Sequence, residues 1–210
     1  MQEILRYSPK WLKSALQRLA FWVGHRCTIY SDWALTEGAL VAELCNLIHA
    51  HLGDKYSLHC EEPYKKFVKQ NKYAQIGDGA RVDLSVWETI QEPEGKRKIP
   101  RFAIEVKRAK SASSLINRDL VRLAEIAEHN SRIRAFLCVV SERHLPTQFV
   151  TPRGYRRGGI FPIEGTSSSY QVISVLKATA FLKEVNLDRA HYCCTIEVLS
   201  NEFIEEELQE

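Results

Sequence analysis

The sequence predicts an α/β fold, a mixed central β-sheet flanked by helices. Three observations point there. Amphipathic runs at helical spacing alternate with short strand-like runs. From residue 33 onward the order reads helix, strand, strand, strand, helix, strand, helix, strand, which gives a mixed sheet with helices against it. The uniformly apolar run AFLCVVS at 135–141 directly follows a helical pattern, as a buried strand reached by a crossover does. At 210 residues the chain suits one compact domain, 1–210, with a core large enough to need no disulfides.

Residues 9–23 place Trp11, Leu12, Ala15, Leu16 and Leu19 opposite Lys10, Lys13, Gln17 and Arg18, predicting an amphipathic N-terminal helix. A second helix is predicted over 33–52, where Leu40, Val41, Leu44, Leu47, Ile48 and Leu52 form one stripe ended by Gly53, with its start near Ser31, Asp32 or Thr36. Strands are expected at 56–61, 81–88 and 101–107, the last two joined by a polar segment that reads as a hairpin loop. A helix over 114–129 precedes the apolar strand. The stretch 146–169 holds three prolines, four glycines and six Ser or Thr residues, and reads as a long loop or extension. A helix at 170–184, a strand at 191–199 and an acidic tail at 201–210 complete the reading.

A hydrophobic fraction of 45% and a charged fraction of 26% exclude a wholly disordered or fibrous chain. The formal charge of +3 conceals an asymmetry: the last ten residues carry five glutamates and no Lys or Arg, so the remainder stands at about +8. A basic body is permissive for polyanion binding without being diagnostic of it. The six cysteines show no CxxC pair and no zinc spacing, which suits buried thiols in a reducing compartment. No run is apolar enough to cross a bilayer, so a soluble, cytoplasmic protein with no membrane partner is expected.

The chemistry concentrates on Asp83, Glu105 and Lys107. Residues two apart in a strand share a face, so Glu105 and Lys107 project together from FAIEVK. Charge at an inward strand position costs desolvation unless it is paired, hydrogen-bonded or holding a metal. A hairpin between 81–88 and 101–107 brings Asp83 near Glu105, and a hard divalent cation relieves the repulsion of two converging carboxylates. Lys107 then stands beside the attacking water, where it can orient or help deprotonate the nucleophile and stabilise charge developing on phosphorus.

Val82-Asp83, a spacer of about twenty residues and Glu105-Val106-Lys107 resemble the signature of the PD-(D/E)XK nuclease superfamily, and the element order from 33 to 141 is similar too. Val82 stands where that signature has proline. The resemblance implies a restriction-endonuclease-like fold and phosphodiester hydrolysis with Mg²⁺ or Mn²⁺ held by Asp83 and Glu105, most naturally on DNA, in a restriction, repair or phage-defence setting. Members often add a glutamate from the preceding helix. Glu37 and Glu43 compete for that place, and Glu37 is preferred because it shares the apolar face with Leu40 and Val41.

Arg118 and Arg122, one turn apart on the crossover helix, and Arg153, Arg156 and Arg157, in RGYRRGG, are the expected nucleic-acid contacts. Expected partners are DNA and either a second copy of the chain, which would explain double-strand cleavage, or a protein of a larger system. The competing reading is a nuclease fold that binds or assembles without cutting.

Overall fold

A computed structural model of the protein describes residues 6–30, 33–68, 77, 79–180 and 186–209. The elements run α1 (Lys10–Ile29), α2 (Glu37–His49), β1 (Tyr56–Pro63), β2 (Arg81–Glu92), β3 (Gly95–Arg108), α3 (Ser113–His129), β4 (Arg134–Ser141), β5 (Ile160–Pro162), β6 (Ser169–Ala178), β7 (His191–Leu199) and α4 (Asn201–Gln209). They build an α/β fold around a seven-stranded mixed sheet of order β1-β2-β3-β4-β7-β6-β5. Only β3 and β4 pair in parallel, because α3 carries the chain back across the sheet between them. All the other neighbours are antiparallel.

The helices cover both faces. Leu12, Leu16 and Leu19 of α1 and Leu40, Leu44 and Ile48 of α2 pack with Leu84, Ile104, Val106 and Phe136 on one side. Ile116, Leu120 and Leu123 of α3 meet Ala103, Leu137, Val139 and Ile196 on the other, together with Phe149 and Val150 of the loop after β4. The central strands are sandwiched, which is why β4 and β7 are buried almost throughout and β4 is apolar without alternation.

Several expectations are corrected. The first helix runs on to Ile29, past Gly24, which is buried on its packed face and so does not end it. Thr36 caps the second helix, its side chain accepting from the Ala39 amide; the other two starts considered, Ser31 and Asp32, lie outside the described residues. The polar segment 89–100 is no loop. It forms the outer arm of the β2–β3 hairpin, paired as far as Glu92↔Gly95, with Pro93 and Glu94 alone making the turn and Gly95 at φ +133°. That arm is solvated, so it lacks the apolar alternation that marks a strand.

The helix expected at 170–184 is strand β6; positions 181–184 lie outside the described residues. Its apolar residues serve both layers, Val172 one side and Ile173 and Leu176 the other, and the register shifts between Val172 and Ser174. Apolar positions 172, 173, 175 and 176 therefore imitate a helical stripe. Within the long loop, Ile160–Pro162 adds the edge strand β5. The acidic tail is helical, with Phe203 beneath the Arg6 guanidinium, 4.2 Å from the ring centre. Four of the six cysteines are buried; Cys45 and Cys60 are not.

Candidate active site

The hairpin ladder is paired up to Leu84↔Ile104, beyond which β3 continues beside β4 as far as Arg108. Asp83 and Glu105 occupy the next position on each strand, where the two strands cease to pair. Here the Val106 amide has no β2 carbonyl to meet and donates instead to Asp83 Oδ2 at 2.7 Å. That bond fixes Asp83 against the Glu105–Lys107 stretch.

Glu105 is buried, and its Oε1 accepts from the Tyr64 hydroxyl at 2.6 Å. Tyr64 reaches it from a single helical turn, Tyr64–Lys66, that directly follows β1. Lys107 Nζ lies 2.8 Å from Glu37 Oε1 and 2.9 Å from Asp119 Oδ2. The Glu37 contact is a hydrogen bond, whereas the Asp119 oxygen is close enough for an ion pair but poorly aligned as an acceptor. Asp119, on α3, is 1% exposed, and its other oxygen lies 3.5 Å from Arg122.

Four carboxyl groups thus gather around two cations. Burial, followed by the Asp83 and Asp119 charges, raises Glu105 well above the ordinary carboxylate range. Burial also raises Asp83, against the pull of the Val106 amide, its bond with Glu105 and the Lys107 charge. Asp83 and Glu105 sit against one another, so with no cation bound the Asp83 charge adds to burial in disfavouring ionisation of Glu105. Burial alone would lower Lys107, but its hydrogen bond to Glu37 and the charges of Glu37 and Asp119 outweigh it, and the ammonium form is favoured.

A cavity of about 620 Å³ opens beside Asp83, lined also by Glu37, Glu61 and residues of α2. Excess negative charge, oxygen donors on adjacent strands and an open approach suit a hard divalent cation. Among the described residues no three His, Cys, Asp or Glu side chains form a ready-made metal cage. A cation held by Asp83 and Glu105 would therefore draw its remaining ligands from water or substrate, as Mg²⁺ commonly does.

The structure brings Glu37, Asp83, Glu105 and Lys107 together; Glu43, six residues along α2, makes no hydrogen bond or ion pair with them. The arginines fare differently. Arg118 is exposed beside Asp119, but Arg122 is turned inward onto Asp119 and the Tyr64 ring. Arg156 is half-buried and donates to the Val172 carbonyl, holding its loop to β6, while Arg153 and Arg157 are exposed.

The reading from sequence missed Asp119 and Tyr64. Asp119 was visible in principle, since it sits three residues after Ile116 and four before Leu123, on the helix's apolar face. Tyr64 gave no signal, because only the turn after β1 aims it.

Compared with known proteins, the chain matches no family model, no curated protein and no solved structure. Among the described residues no helix is long and apolar enough to cross a membrane.

Proposed function

We propose that this protein is a divalent-metal-dependent nuclease of the PD-(D/E)XK type with a restriction-endonuclease-like fold, hydrolysing phosphodiester bonds in DNA. The observation that carries this reading is the cluster at the split hairpin: Asp83 hydrogen-bonded to the Val106 amide, Glu105 opposite it, and Lys107 two residues on, held between Glu37 and Asp119. The element order α2-β1-β2-β3-α3-β4, with its single parallel crossover, supports it.

Asp83 and Glu105 are the residues that would hold Mg²⁺ or Mn²⁺. The bound cation would supply charge neutralisation at the scissile phosphate and activation of water. Lys107 acts as an ammonium and not as a base, because both of its partners favour the charged form. Its task is to donate to the attacking water or the phosphoryl oxygens and to offset developing negative charge. Glu37 is the more exposed carboxylate, its side chain 39% accessible, and it is placed to accept the proton that the water gives up. Asp119 and Tyr64 position Lys107 and Glu105.

The test is nicking of supercoiled plasmid with Mg²⁺ or Mn²⁺, comparing wild type with Asp83→Asn and Glu105→Gln. Wild type should nick and both variants should lose at least a hundredfold in rate, roughly the scale on which charge-stabilising groups act. Absence of nicking with either metal would overturn the proposal, and binding without cutting would favour the assembly-module reading.

A further inference from the structure

A second cleft lies at the same end of the sheet, where α1 runs into α2 and β3 and β4 end. Tyr30 and Trp33 line it together with Arg108, Lys110 and Arg143. Trp33 is 76% exposed and Tyr30 49%, a large apolar area to leave in water at the mouth of a cavity of about 200 Å³.

The base of the cleft is fixed. Glu142 accepts from the Leu35 amide at 3.2 Å, and Arg143, at φ +51°, donates to the Cys27 carbonyl at 2.8 Å. Glu142 lies 3.6 Å from Arg108 and so only loosely offsets it. Three cationic side chains against one carboxylate leave the described lining basic, in contrast to the acidic cluster at Lys107 next door.

Two connections tie this cleft to the candidate active site. Arg108 directly follows Lys107 on β3, so the two project to opposite faces and come together only at the strand's end, and Trp33 precedes Glu37 by four residues. Away from the site, the platform extends along α1: the Arg26 guanidinium lies between Trp22 and Tyr30, 5.9 and 4.9 Å from the ring centres, at successive i, i+4 positions. Exposed rings interleaved with cations are what an unpaired strand requires, since any base can stack and each phosphate needs a positive neighbour. A paired duplex hides its base faces and gains nothing from Trp33.

The geometry points to a binding site for unpaired nucleotides: a base stacks on Trp33 and Tyr30, with its phosphates on Arg108 and Lys110, at the end of the strand that carries Lys107. This rests on the nuclease reading and narrows its substrate to single-stranded DNA or duplexes with an unpaired end.

The test measures binding without cleavage, in EDTA, by anisotropy of a fluorescein-labelled oligothymidylate and of a blunt duplex. Trp33→Ala should weaken the oligothymidylate about tenfold and leave the blunt duplex unchanged, and Trp33→Phe should bind nearly as wild type. Tryptophan fluorescence should fall on addition of oligothymidylate to wild type, and Trp33→Phe should remove most of that quenching. Equal loss on both ligands, no loss on either, or no oligothymidylate binding by wild type would each overturn the proposal. The exposed Trp33 makes misfolding of the alanine variant improbable; circular dichroism checks it, and the phenylalanine variant supplies an independent reading. If wild type nicks no plasmid but the Trp33 pattern holds, the nuclease reading falls and the stacking site stands.

Discussion

Lys107 is held by opposite charges on two sides, and the two sides are unequal. Glu37 meets solvent, but Asp119 is 1% exposed and, among the described residues, otherwise pairs with Arg122 at 3.5 Å. Removing one member of a buried pair strands the other, at a cost of about 3 kcal/mol. Lys107→Ala should therefore lose stability as well as nicking, although sequence reasoning treats this lysine as serving catalysis alone. Adding Asp119→Asn should restore most of the stability and none of the activity, as read by urea denaturation beside the plasmid assay. A single variant as stable as wild type would show that Asp119 does not depend on Lys107.

The raised Glu105 carboxyl gives the metal-free protein a pH dependence of definite sign. Glu105 is raised in the folded state above its ordinary value of 4.5, so the folded protein binds its proton more tightly than the unfolded one. Its contribution to stability is complete below about 4.5 and is lost as pH climbs through the raised folded value. Thermal melts in EDTA should show melting temperature falling with pH across that window, and Glu105→Gln should flatten the slope. With Mn²⁺ the trend should reverse, because the cation takes the proton's place and binds better as the carboxylates ionise. The charged residues themselves were legible because Glu105 and Lys107 interrupt an apolar strand; the raised proton affinity of Glu105 was not, since it depends on burial and on how closely two strands approach.

Among the elements, α2 illustrates how a local signal can position chemistry. Its first residue is Glu37, and Thr36 Oγ1 accepts the Ala39 amide at 3.2 Å, fixing the start of the helix and hence the carboxylate that meets Lys107. Thr36→Ala should cost about 1 kcal/mol and lower nicking by less than Glu37→Gln does, whereas Thr36→Ser should behave as wild type. Denaturant melts and nicking rates together decide it, and a neutral alanine variant would mean that the cap does not hold Glu37. Helices α1 and α2 could be read from sequence because each buries one face, and α3 because Ile116, Leu120 and Leu123 keep the helical spacing although its C-terminal half is buried more widely. Strand β6 could not, for it is apolar towards both layers and carries a register shift, and the hairpin arm at 89–100 could not, for it is polar towards solvent. Periodicity reports a single buried face, and neither strand has one.

At the scale of the molecule, strand registers separate the charges. Lys107 pairs with Val139 and Val139 with Cys194, while the acidic helix α4 begins only after Leu199, five residues further along β7 and about 17 Å away along the strand. Lys177, beside the loop bearing the exposed Arg153 and Arg157, lies instead at the active-site end, three strands from β3 and so about 14 Å across the sheet. A polyanion crossing that end meets the basic groups and not the tail. The acidic tail is a helix set against the body, with Phe203 beneath Arg6 and lining one cleft with Ile133 and Arg134. Deleting residues 201–210 should lower the melting temperature, since Phe203 leaves a half-buried position. It should leave DNA affinity nearly unchanged at physiological ionic strength, where charges are screened within about 8 Å, and tighten it at about 0.01 M salt, where screening extends to about 30 Å. Anisotropy titrations of full-length and truncated protein at both salts, beside thermal melts, test this. Tighter binding by the truncated protein at physiological salt would place the tail over the DNA surface, contrary to the registers.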